Sequence, residues 1–169
     1  MAIAAMLVAV LAAVILWLPH RELDLARSAA MDHARFVAEV GEEELPRPTM
    51  REFLLAGSRT FPPGTTLPAA LPVDYGLLKT GQCKLDGAPV AYLVLGQHSE
   101  PISVFLMPRA ELRHFPAFAV KLGREKTGVA CQIAGQRFFG AGGETLVACA
   151  VGRARASELQ KLVRWALSG

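Results

Sequence analysis

Three cysteines and four histidines are the side chains of widest chemical reach in this sequence. The cysteines are Cys83, Cys131 and Cys149. They form no C-x-x-C pair and no zinc-finger spacing. In an oxidising compartment two could pair and leave one free. On apolar strands all three would act as small fillers. A redox response would need an exposed thiol with a lowered pKa. His98 and His114 flank an apolar run, and with Cys83 or Met107 they could meet a soft metal such as copper. Nothing in their spacing requires one. His33 falls on the apolar side of a helical stretch, where a packed residue is the commoner case than a ligand. His20 sits at the edge of the N-terminal apolar run. Ser58 and Ser103 lack the G-x-S-x-G turn that exposes a nucleophile. No H-E-x-x-H, phosphate-binding loop or G-x-G-x-x-G occurs. Gly140-Ala141-Gly142-Gly143 lies between two strand-like runs and reads as a hairpin tip. The acids are scattered, with no paired carboxylates. The sequence therefore predicts a protein that is not an enzyme, with no metal, no cofactor and no small-molecule substrate identified.

The formal charge is +3 over 169 residues, with no Lys/Arg block or basic stripe interleaved with aromatics. Nucleic acid is not an expected partner. From Ala2 to about Leu18 no side chain is charged, and Trp17 stands near the end of the run. That is the short end of what crosses a bilayer, and Trp suits the headgroup layer. A cleaved signal peptide would carry a basic start and a small-x-small site close behind. Here the start has no Lys or Arg, and the only such site is Ser28-Ala29-Ala30. The run is expected to be an uncleaved anchor over residues 1–19. Arg21 and Arg27 on its C-terminal flank favour a cytoplasmic C-terminal domain by charge alone. Ala2, Ala4, Ala5, Ala9, Ala12 and Ala13 give the run a small-residue side for lateral packing in a membrane complex.

The elements that must position these residues follow. Arg21 to Val40 repeats apolar residues at helical steps, and 20–47 reads as a stalk helix with its linker. Residues 48–169 read as one α+β domain. Thr49 and Glu52 form a capping box for a short helix with Phe53, Leu54 and Leu55 inside and Gly57 at its stop. Phe61 to Pro72 is a proline-rich loop, apolar enough to lie on the domain. Leu78–Leu85, Asp86-Gly87 and Val90–Leu95 spell a hairpin with a tight turn. Strands are expected at 102–107, 127–133, 137–140 and 145–151, and one helical turn at 109–114. Ser157 to Gln160 reads as a second capping box opening a closing helix with Leu159, Leu162, Val163 and Leu167 on one side. The fold class is α+β: an antiparallel sheet of about five to six strands with a C-terminal helix packed on it.

The run GQCKLDGAPVAYLVLGQHSEPISVFLMP resembles the extracytoplasmic half of single-pass anti-sigma factors. The resemblance is carried by Leu85, Asp86, Gly87, Pro89, Val90, Ala91 and Tyr92 in the hairpin. Gln97, His98, Ile102, Phe105 and Pro108 carry it in the next strand. TGVACQIAG, TLVACAVG and ASELQKLVRW follow in the family's order, and MDHARFV is similar to its post-membrane helix. The resemblance implies a sensor or protein-contact domain on the periplasmic side of the cytoplasmic membrane, with an envelope or membrane protein as partner. It departs from the family in having no cytoplasmic sigma-binding domain and no H-x-x-x-C-x-x-C motif, so sigma binding is not implied. The apolar run is then either a complete tether or the edge of a longer regulator. An accessory subunit of a membrane complex and a metal-binding envelope protein are the other readings.

Overall fold

The computed structural model describes residues 24–42, 48–97, 100–125 and 127–169. The anchor expected over residues 1–19 lies outside them. Among the described residues no helix is long and apolar enough to cross a membrane. In chain order the elements are α1 (Asp24–Glu42), α2 (Met50–Thr60), β1 (Gly76–Leu85), β2 (Ala88–Gln97) and β3 (Glu100–Pro108). A 3-10 segment (Arg109–His114) leads to α3 (Pro116–Arg124), β4 (Val129–Ile133), β5 (Gln136–Gly142), β6 (Leu146–Gly152) and α4 (Ala156–Leu167).

The six strands form one antiparallel sheet in the order β1-β2-β3-β6-β5-β4. Two three-stranded meanders thus meet along β3 and β6, with Phe105 opposite Cys149 and Leu106 opposite Ala148. The β1–β2 turn has Asp86 at φ 46° and Gly87 at φ 88°, the left-handed pair that a two-residue hairpin requires. The β4–β5 turn repeats this with Ala134 at 49° and Gly135 at 75°. Alanine pays a steric cost there that glycine does not.

Helices cover both faces of the sheet. On the front, Leu25, Ala29 and Phe36 of α1 and Phe118 of α3 meet Val90, Tyr92, Phe105, Phe138, Cys149 and Val151. On the back, Phe53 of α2 and Leu159, Leu162, Val163 and Ala166 of α4 meet Ala91, Leu93, Val104, Leu106, Ala148 and Ala150. This accounts for the unbroken apolar runs of β2 and β6. Strands buried on both faces do not alternate, and every residue from Val90 to Leu95 and from Leu146 to Gly152 is buried. The proline-rich loop closes the back face: Trp165 Nε1 donates to the Ala70 carbonyl at 3.1 Å, and Leu67 packs on the back-face cluster.

α1 forms because Leu25, Ala26, Ala29, Ala30, His33 and Phe36 fall on one side at helical steps. Those residues enter the front core, so this core draws on chain from before and after residue 47. α2 carries the expected capping box: the Glu52 N–H donates to Thr49 Oγ1 at 3.4 Å, and the Thr49 N–H donates to Glu52 Oε2 at 2.6 Å.

Four local expectations are corrected. Only Phe53 of the Phe53-Leu54-Leu55 trio is buried; Leu54 and Leu55 face out, because adjacent residues lie 100° apart on a helix. Gly57 does not stop α2, which runs to Thr60; it is buried where Leu67 leaves no room for a Cβ. Ser157 caps nothing: the N-cap is Arg155, and no side chain bonds the free N–H groups. Gly140-Ala141-Gly142 is strand β5 rather than a hairpin tip. A Cβ on Gly140 would stand 2.7 Å from Phe118 Cζ, so glycine here lets that ring pack edge-on against Phe138 at 6.0 Å.

Candidate functional site

The chemically capable side chains gather where α1 crosses the front of the sheet. Phe36 stacks on Tyr92, with ring centroids 4.0 Å apart and planes 14° from parallel. Arg35 lies over the outer side of the Phe36 ring at 4.8 Å and pairs with Asp32 at 3.0 Å. Glu39 pairs with Lys79 of β1, and that bond holds its carboxyl below the usual range. These contacts fix α1 across the β1–β2 hairpin by an aromatic stack on β2 and an ion pair to β1.

All three cysteines lie on this same front face, on β1, β4 and β6, and all are free thiols. Cys83 is half-buried against Asp32, whose Oδ2 is itself buried without a hydrogen-bond partner. Burial first, and the Asp32 charge second, push the Cys83 thiol up to about 12. Cys149 is fully buried, which raises it further, and the nearby Cys83 adds to the effect. Cys131, on the opposite edge strand, is raised by burial against a smaller opposing effect of Lys121. None of the three is set up as a thiolate, the form that attacks or binds metal.

His33 and Ser103 meet in the centre. His33 Nδ1 lies 2.8 Å from Ser103 Oγ, and both residues are buried. Burial, with a contribution from the Arg153 charge, lowers His33 to about 4, so the ring is neutral at pH 7. A neutral imidazole beside a serine hydroxyl has the parts of a base and a nucleophile. Here α1 lies over Ser103, which has no exposed surface to offer a substrate. The pair is a structural bond between α1 and β3.

Other singled-out residues lie apart. His114 Nε2 is 3.2 Å from Glu111 Oε2 in the 3-10 segment and close to Gly87 at the hairpin turn. Met107 is buried in the front core. Ser58 donates to the Leu55 carbonyl within α2. His98 lies outside the described residues, and so does any meeting of it with His114. Among the described residues no three His, Cys, Asp or Glu side chains come together as a metal site.

No family model matches the chain, and no curated protein does. Similarity to a solved structure is found. The crystal structure of MucB in complex with MucA(peri) superposes with a TM-score of 0.40 and 16% identity. The match takes in 56% of this chain and 32% of that one, so the chain spans about a third of the length of the protein it matches.

Sequence reading missed the His33–Ser103 contact, which joins residues 70 apart. The signals were a polar residue breaking the apolar run of β3 and a histidine on the inner side of α1. It also missed Asp32 and Tyr92 as neighbours of Cys83. A recess of about 520 Å³ on the opposite face of the domain is lined by Pro72, Val73, Tyr75, Arg155, Glu158 and Lys161. There the Tyr75 hydroxyl donates to Glu158 at 2.6 Å, and burial followed by that bond raises the phenol above its ordinary value.

Proposed function

We propose that this chain is a membrane-tethered, extracytoplasmic protein-contact domain that works by holding a partner and not by turning over a substrate. The observation that carries the reading is the short path from the uncharged run to the folded core. The run ends near Leu18, and Leu25 and Ala26, in the first turn of α1, are already buried in the front core. Six intervening residues reach about 20 Å at full extension. A tether of that length holds the domain against the bilayer surface, within reach of another membrane protein.

Two further observations support it. The hairpin residues that resemble anti-sigma factor outer domains, Leu85 to Tyr92, make the β1–β2 turn and the start of β2. Ile102, Phe105 and Pro108 lie on β3 beside them. The nucleophilic side chains of the front face are either buried, as Ser103 and Cys149 are, or held as thiols, as Cys83 and Cys131 are. A sensor role as in that family is the finer form of the proposal.

A periplasm-active and a cytoplasm-active reporter, each fused after Gly169, test the placement. The proposal expects activity from the periplasmic reporter only, membrane-pellet recovery of the full chain, and recovery in the soluble fraction once residues 2–18 are deleted. Activity from the cytoplasmic reporter alone, or a full chain that stays soluble, would overturn it. In-cell crosslinking from Met31, which is 68% exposed on the outer side of α1, then asks for a protein adduct.

A further inference from the structure

His33 and Ser103 are the two buried polar side chains among the described residues, and they bond only to each other. Their bond crosses the interface between α1 and the sheet. Around it α1 meets the sheet mainly through Leu25, Ala26, Ala29, Ala30 and Phe36. Three of these five are alanines, which remove little apolar surface from water. We propose that the His33–Ser103 pair is an acid-sensitive latch: protonation of the imidazole loosens α1 and uncovers the apolar front face around Tyr92, Phe105 and Cys149.

The chemistry is that of a buried base. The neutral ring has one donor and one acceptor nitrogen, and the serine hydroxyl can bond either way. A proton taken from solvent leaves two N–H donors, no acceptor and a full charge in an apolar site. Ser103 can turn to accept from Nδ1, but it cannot neutralise the charge. The charged and titratable groups on the surrounding elements are Asp24, Arg27, Asp32, Arg35 and Glu39 of α1, Lys79, Cys83 and Lys84 of β1, and Tyr92 of β2. Glu100 of β3, Cys131 of β4, Arg137 of β5, Cys149 of β6 and Arg153 just after β6 complete the set. Asp32 is engaged with Arg35, and Glu39 with Lys79. No carboxylate among the described residues bonds the ring, and the charge that bears on it is the cation Arg153. The surroundings therefore oppose a charged His33 and offer it no counter-ion.

The sign follows from linkage. A histidine held below its ordinary 6.5 favours the docked state when neutral, and that advantage is lost as pH falls through the window from 6.5 to 4. With a docked value of about 4, the docked-to-released equilibrium for α1 falls roughly 20-fold between pH 7 and pH 5.

The test uses the full chain in detergent micelles, with two readouts at pH 7 and pH 5. Amide exchange is followed residue by residue. Cys149 is labelled with a dithiodipyridine, which still reacts with thiols in acid, and the label is located by peptide mapping. Both are normalised to the unfolded chain at the same pH. The proposal expects opening of α1 and labelling of Cys149 to rise roughly 20-fold while β5 and α4 keep their protection, and it expects His33→Gln to abolish the step. An equal step in His33→Gln, no step in the natural chain, or simultaneous loss of protection throughout would overturn it. If His33→Gln does not fold, NMR titration of the His33 ring decides: a midpoint well below 6.5 that tracks α1 exchange supports the latch, and a midpoint near 6.5 refutes it.

Discussion

Replacing Phe36 with alanine asks whether α1 is part of the cooperative fold or an arm resting on it. The ring is 3% exposed, stacked on Tyr92 at 4.0 Å and 6.2 Å from Phe105. Removing a fully buried phenylalanine costs about 3–5 kcal/mol, part transfer and part cavity. The lost stack is worth about 0.5–1.5 kcal/mol of that. The lower half of the range is expected here, because Arg35 and Tyr92 border the site and can partly close over the gap. About 3 kcal/mol corresponds to a drop in Tm on the order of 10 °C for a domain of this size. The assay is urea and thermal unfolding of the full chain in mild detergent, followed by near-UV circular dichroism. Met31→Ala on the outer side of the same helix is the control, expected within about 0.5 kcal/mol of the natural chain. A double-mutant cycle of Phe36→Ala with Tyr92→Leu should return a coupling of about 0.5–1.5 kcal/mol. If Phe36→Ala is as mild as Met31→Ala, α1 does not belong to the unit that unfolds, and the account of the front core is wrong.

Gly140→Val should lower stability by about 1–3 kcal/mol, read from the urea midpoint, because a Cβ there meets Phe118 and Phe138; an unchanged midpoint would show that the two rings have slack. Thr49→Ala should cost about 1 kcal/mol by removing the acceptor for the Glu52 N–H, with β-sheet signals in the amide spectrum unshifted. Cys83 should alkylate at pH 8 at least a hundred-fold more slowly than in the urea-unfolded chain, since few of its thiols ionise while docked. The same raised pKa makes stability fall as pH climbs from 9 toward 12, because the unfolded thiol ionises first; flat stability over that window would contradict it.

What the sequence made legible follows from where its signals are local. The β1–β2 turn is written in two adjacent residues, and Asp86-Gly87 adopts the φ values that the pair favours. The Thr49 cap is written in four residues and forms. The Ser157 pattern has the same spelling and does not form, because the helix already starts at Ala156 and puts Ser157 inside its first turn. α3 left no usable period: of its nine residues only Phe118 is buried, and Val120 is 56% exposed. Pro116 at its start was the remaining signal. The sheet's second covered face was present as unbroken apolar runs in β2 and β6, whereas the partner of each strand was not, since β3 and β6 meet across about 40 residues. The His33–Ser103 bond is of that long-range kind, and no spacing rule reaches it. The three thiols share one face because strand parity put them there, a fact that needs the strand order to be seen.

Only one ladder stitches the two halves of the sheet together. Every pairing other than β3 with β6 joins strands that follow one another in the chain. Hairpins of this kind close in about 1–10 μs, so each half can zip without waiting for the other. The seam, in which Met107 finds Val147, must wait for both and should set the folding rate. It is also the part best shielded from water, with residues buried on either side along its length. A backbone cut between Glu125 and Gly128 would therefore sever the halves covalently and still leave them held by that seam, so the domain should be recoverable from two separately made pieces mixed together.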